Sequence, residues 1–123
     1  MLSLTLSYAG REREVIGLVD SGAMLNVLPY HIGLELGAVW DSEAAILSLG
    51  GSFRGVPAMG LAVVGKIGTF PPFNLFFAWA GSDDVRVILG QYNFFQEFDV
   101  HFYRSQFVFE IHPKGQRLSS ATG

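Results

Sequence analysis

Few residues in this chain could do chemistry, and the first of them is an acid at the end of an apolar run. Asp20 follows Ile16, Leu18 and Val19, and leads into Ser21-Gly22-Ala23 and then Met24, Leu25, Val27 and Leu28. Asp, Ser and Gly are all turn formers, so the tripeptide alone is ordinary turn chemistry. Its setting is less ordinary. A turn between surface strands tends to have polar neighbours. A carboxylate among so many apolar residues is costly to bury without a partner, and such settings are where enzymes place their acids.

Two further segments stand out. Val87-Ile88-Leu89-Gly90 is an apolar run stopping on glycine ahead of a helical pattern, which could equally be a plain strand-to-helix junction. Gly50-Gly51-Ser52-Phe53-Arg54-Gly55 reads as the flexible tip of a hairpin, and a mobile surface loop is the commoner meaning of such a stretch. It lacks the Gly-Lys-Ser/Thr of a phosphate-binding loop and does not match G-x-G-x-x-G. His31, His101 and His112 are isolated, with no metal-ligand spacing, and Asp83-Asp84 reads as a solvated turn. No metal or other cofactor is expected.

The elements that must position these residues are mostly strands. Leu2, Leu4, Leu6 and Tyr8 alternate with Ser3, Thr5 and Ser7, the period of a half-buried strand. A turn over 9–13 returns the chain through Glu14 to Val19, delivering Asp20 at the strand end. Leu25 to Leu28 reads as a short strand, and Pro29 opens a helix over Tyr30 to Leu36 that Gly37 closes. Strands are expected over Ala44 to Leu49 and Val56 to Val64, flanking the glycine-rich tip. A turn follows at Gly65 to Gly68. Strands are also expected over Thr69 to Ala80, interrupted by Pro71-Pro72, and over Val85 to Leu89. Gln91 to Phe98 has helical spacing, and Phe98, Val100 and Phe102 should face Phe107, Phe109 and Ile111 in a terminal hairpin.

Whole-chain properties bound the function. The 123 residues suit one domain, expected over 1–112, with a polar, flexible tail over 113–123. Half the residues are hydrophobic and only 15% are charged, which argues against disorder; 15 Gly and 11 Phe favour turns and packed strands. A net charge of −3 without a Lys/Arg cluster gives no support to nucleic-acid or anionic-membrane binding. The absence of cysteine excludes disulfides and thiolate catalysis. No signal peptide or membrane span is recognisable, so a soluble cytoplasmic protein is expected.

Taken in order, the Val19-Asp20-Ser21-Gly22-Ala23 run, the glycine-rich hairpin tip and Ile88-Leu89-Gly90 ahead of a helix resemble the layout of retropepsin-like aspartic proteases. The resemblance extends over roughly Leu2 to Ile111 and is closer to the cellular, non-viral branch. It implies a mostly β acid-protease barrel with a Gly-rich flap hairpin and two short helices. It also implies an aspartic endopeptidase acting on peptides or unfolded proteins, with Asp20 as the catalytic carboxylate. Such hydrolysis needs two facing aspartates, and the chain has a single Asp-Ser-Gly, so the resemblance implies a homodimer in which Asp20 meets its symmetry copy.

By the same resemblance, Ser21 would hydrogen-bond across the dimer, and Gly22 would leave backbone room for the dyad. Ala23, where some relatives have Ser, implies activity at mildly acidic to neutral pH. Gly50, Gly51, Ser52 and Phe53 would form the flap over substrate, Val27 and Ile88 the pocket walls, and Leu89 and Gly90 the packing behind the loop. Met24 and Gln91 stand where retroviral members carry an acid and an arginine that tie the dimer together, so that salt bridge is missing. The alternatives are an inactive peptide-binding or dimerisation module of the same fold, and an unrelated barrel binding small ligands.

Overall fold

The alternating pattern at the start of the chain forms strand β1 (Leu2–Tyr8), which buries Leu4 and Leu6 and leaves Ser3 outward. Ala9 and Gly10, both with left-handed φ (+49° and +83°), make a two-residue turn whose twist suits a hairpin. The return strand β2 (Arg11–Val19) therefore begins three residues earlier than the charged tip suggested, pairing Tyr8 with Arg11 and Leu2 with Gly17. The computed structural model describes residues 1–103 and 108–114, without the side chains of Ser52, Phe102, Tyr103 and Val108. The expected turn at 104–106, Phe107 and the tail from 115 onward lie outside the described residues.

The chain continues as β3 (Asn26–Leu28), α1 (Tyr30–Glu35), β4 (Leu47–Ser48), a 3₁₀ turn (Gly51–Phe53), β5 (Pro57–Lys66) and β6 (Phe73–Ala80). After these come β7 (Ile88–Leu89), α2 (Phe94–Glu97), β8 (Phe98–Tyr103) and β9 (Val108–Pro113). Hydrogen bonding runs β1-β2-β7-β3-β6-β5, and β5 pairs back onto β1, so six strands close a barrel. Closure removes the free edges that an open sheet would present. β4 pairs with the start of β5, and β8 with β9 forms a separate two-stranded sheet. The fold is mostly β with two short helices, as expected.

Several boundaries moved, each for an identifiable reason. β5 runs through the expected turn at Gly65 and Lys66, because Lys66 pairs with Thr5 in the barrel closure. A Cβ on Gly65 would lie 2.9 Å from both Leu75 and Phe73, so glycine allows those side chains to cross the strand. The expected strand over 44–49 shrinks to β4, since Ala44 and Ala45 donate to Asp41 and Ser42 carbonyls in a turn. The second helix shrinks to Phe94–Glu97, because the Tyr92 carbonyl accepts the Asn26 amide, and Phe95 and Gln96 donate to Gly90 and Asn93 instead of to Gln91 and Tyr92. The terminal hairpin forms, but Val100 pairs with Ile111 and Phe102 with Phe109, a register shifted by two residues from the expected matching of Val100 with Phe109 and Phe98 with Ile111.

The core divides in two. The larger cluster fills the barrel with Leu4, Leu6, Leu28, Leu75, Phe77 and Leu89, and receives Val100, Phe109 and Ile111 from the terminal hairpin. α1 lies against Trp79 so closely that a Cβ on Gly33 would sit 2.1 Å from the indole, whose Nε1 donates to the Tyr30 carbonyl at 3.1 Å. The smaller cluster, Val27, Leu49, Ala58, Ala78, Ala80, Val85 and Ile88, lies beside the Asp20 loop.

Candidate active site

β2 and β3 straddle β7. Leu18 and Val19 pair in parallel with Ile88 and Leu89, while Val27 pairs with Ile88 from the other side in the antiparallel sense. The connection over 20–25 must therefore pass across the end of β7, and Asp20 opens it. The Asp20 amide donates to the Leu89 carbonyl at 3.0 Å, and the Asp20 carbonyl accepts from Ala23 at 3.1 Å. The carboxylate is half-buried, and its Oδ1 accepts the Gly22 amide at 2.9 Å. This is an Asx-type turn that fixes the side chain from within its own loop.

Residues 90–93 grip that loop from behind. The Gln91 amide donates to Ala23 and the Tyr92 amide to Met24, at 2.9 and 2.8 Å, and Asn26 donates to the Tyr92 carbonyl at 3.2 Å. A Cβ on Gly90 would lie 2.6 Å from the Leu25 carbonyl oxygen and 2.7 Å from that of Ala23, so the two segments approach as only glycine permits. The Gln91 side chain adds a bond from Nε2 to the Ser21 carbonyl at 2.8 Å.

Beneath the grip lies a buried amide pair that sequence reasoning missed. Asn26 Oδ1 accepts the Gly90 amide at 2.8 Å, and its Nδ2 donates to the Phe76 carbonyl at 3.0 Å and to Asn93 Oδ1 at 3.1 Å. Asn93 Oδ1 also accepts the Phe76 amide, and its Nδ2 donates to the Asn74 carbonyl. Two side chains thus stitch the Asp20 loop, the 90–93 segment and β6 together, with donors and acceptors matched as burial requires. The available signal was the single polar residue inside Leu25-Asn26-Val27-Leu28. An amide there must find side-chain partners or face water.

The structure brings several expected residues together. Ala23 from the loop, Phe53 from the glycine-rich tip, and Val27 and Ile88 all join the smaller apolar cluster. Leu89 is buried in the larger core and Gly90 against the loop, so both pack rather than line a surface. Gly51 is exposed in the 3₁₀ turn that tips the hairpin and Gly50 just before it, as are Ser21 and Gly22 in the loop. The expectation that apolar neighbours enclose Asp20 fails on one side. Met24 is 74% exposed and Leu25 36%, and with exposed Tyr92 and Phe76 they form an apolar rim next to the loop.

Asp83 is more than a solvated turn. Its Oδ1 accepts the His31 backbone amide at 2.8 Å and meets His31 Nδ1 at 2.7 Å. The backbone bond, then the ring, hold the Asp83 carboxyl below the usual carboxylate range. Pro29 at the N-cap of α1 makes no side-chain cap bond, so Asp83 supplies from a distant loop what the local sequence does not. A surface groove of about 490 Å³, lined by Arg13, Ile16, His31, Ile32 and Arg86 among others, contains none of the expected site residues. Among the described residues, no group of three or more His, Cys, Asp or Glu could hold a metal, and no helix is long and apolar enough to cross a membrane. No family model, curated protein or solved structure matches the chain.

Proposed function

We propose that this chain is one half of a retropepsin-like aspartic endopeptidase, completed by a second copy. The observation that carries the reading is the Asp20 carboxylate, held by the Gly22 amide in a loop that β7 and residues 90–93 grip from behind. Such rigidity is what a catalytic acid needs, since its cost in stability is recovered only by holding reacting groups in place. Phe53 in the same apolar cluster as Ala23, Val27 and Ile88 supports a flap hairpin and pocket walls beside the acid.

Two Asp20 carboxyls in contact share one proton, because both cannot easily ionise side by side. The ionised member accepts a proton from a water held between them as its oxygen attacks the scissile carbonyl carbon. The protonated member donates a hydrogen bond to the carbonyl oxygen as negative charge develops there. Proton transfer to the amide nitrogen then breaks the C–N bond and releases the two peptide products. With one such acid per chain, the second must come from a twofold copy. The exposed Met24, Leu25, Tyr92 and Phe76 give that copy apolar surface to cover.

The test is incubation of the purified protein with an unstructured protein substrate, with and without a transition-state-mimicking inhibitor of aspartic proteases. Asp20→Asn should lower cleavage by about a thousandfold, the scale of losing an essential catalytic group. Cleavage that survives the substitution, or a strict monomer that cleaves, overturns the proposal.

A further inference from the structure

Gln91 has a role that neither its exposure nor the missing dimer salt bridge suggests. Its Nε2 donates to the Ser21 carbonyl at 2.8 Å. The carbonyl of Ser21 and the amide of Gly22 belong to one peptide group, which is planar and rigid. The other end of that plane, the Gly22 N–H, donates to Asp20 Oδ1 at 2.9 Å. One side chain therefore holds the acceptor end of a peptide whose donor end holds the candidate catalytic carboxylate.

We infer that Gln91 is a positioning residue for Asp20, acting through the Ser21–Gly22 peptide. Two physical effects follow from the geometry. The bond fixes the rotation of the peptide plane, so the Gly22 N–H points at Oδ1 rather than turning to solvent. The bond also draws electron density toward the Ser21 oxygen, which makes the Gly22 N–H a stronger donor, the cooperative strengthening known for chains of hydrogen bonds. The Gln91 backbone amide is anchored on Ala23 at 2.9 Å, so the side chain starts from a fixed point two residues beyond the peptide it holds.

The catalytic consequence rests on the endopeptidase reading, but the relay itself does not. What the Ser21 oxygen requires is a donor, of whatever chemistry. Gln91→Glu is isosteric and removes the donor; Gln91→Leu removes both polar atoms; Gln91→Arg restores a donor on a long side chain. Because Gln91 is exposed, its loss leaves no buried group without a partner, and all three variants should fold.

The experiment reads each variant in two ways: the Gly22 amide proton resonance by NMR, and kcat and KM separately on a peptide that the wild type cleaves. In Gln91→Glu and Gln91→Leu the Gly22 resonance should move upfield as its bond to Asp20 weakens. In the same variants kcat should fall about five- to tenfold with KM within about twofold, the size of one lost positioning hydrogen bond. Gln91→Arg should restore both. A Gly22 resonance that stays in place in Gln91→Leu, or a kcat loss that Gln91→Arg does not reverse, overturns the relay. If the wild type cleaves nothing, the endopeptidase reading fails, while the Gly22 resonance still decides whether the relay exists.

Discussion

Gly90→Ala tests the contact that joins the fold to the site. The new Cβ would lie 2.6 Å from the Leu25 carbonyl oxygen and 2.7 Å from the Ala23 oxygen, where real Cβ contacts stay beyond 3.0 Å. The loop carbonyls must therefore retreat by at least about 0.4 and 0.3 Å, a strain of the overpacking kind worth about 1–3 kcal/mol. Gly90 is not among the glycines with left-handed φ, so alanine suffers no backbone penalty and the cost is contact alone. The Ala23 oxygen that must move is the one accepting the Gln91 amide, and weakening that bond adds about 1 kcal/mol. The total is about 2–4 kcal/mol, which lowers the urea midpoint by about 1–2 M. Peptide cleavage should fall about a hundredfold, since displacing the loop displaces Asp20. Gly50→Ala is the control: no atom lies within 4 Å of its Cβ, so its unfolding midpoint should match the wild type. A Gly90→Ala loss below about 0.5 kcal/mol, the scale of a surface substitution, would show that the loop yields freely and is not gripped.

The amide pair and the α1 cap give two more outcomes. Asn26→Leu takes the side-chain partner from the Gly90 amide and the Phe76 carbonyl and should cost about 3–5 kcal/mol in urea unfolding. Adding Asn93→Leu should cost less than the sum of the single changes, and strict additivity would mean that the two amides do not act as a unit. Asp83 in the folded chain is held below its ordinary range by His31, so its ionised form contributes stability that is complete above the unfolded carboxylate range. That contribution is lost as pH falls through the folded-state value. Asp83→Asn should accordingly unfold at lower urea than wild type near neutral pH, with the difference closing in acid; a gap of equal size at both ends refutes the cap.

Much of the barrel is legible in the sequence because its strands carry their burial pattern locally. Period two in Leu2 to Tyr8, and the Pro29 and Gly37 that bound α1, are signals read within a few residues. What escaped is set by partners distant in the chain. The strand-like length of Val85 to Leu89 reduces to Ile88–Leu89 because β7 is held between β2 and β3, and only those two residues complete the ladder. The helix expected from Gln91 starts at Phe94 because the Tyr92 carbonyl, which such a helix would offer to Gln96, is taken by the amide of Asn26, a residue distant in the chain. Such hydrogen bonds leave no periodicity behind.

The Asp20 site divides along the same line. The acid itself stands out, because a carboxylate between Val19 and Ser21-Gly22 in an apolar stretch is costly without purpose. The residues that hold it do not stand out, since Asn26, Gln91 and Asn93 are ordinary polar letters whose value comes from meeting in space. The apolar context of Asp20 does not translate into full enclosure. Apolar neighbours in a strand alternate inward and outward with its pleat, but in a loop they point where the backbone turns, and here Met24 and Leu25 point to solvent. A single chain thus leaves its candidate acid half-covered and its loop rim greasy. Both conditions would be relieved by one event, the approach of a second Asp20 loop across a twofold axis, which would cover the rim and supply the missing carboxyl together.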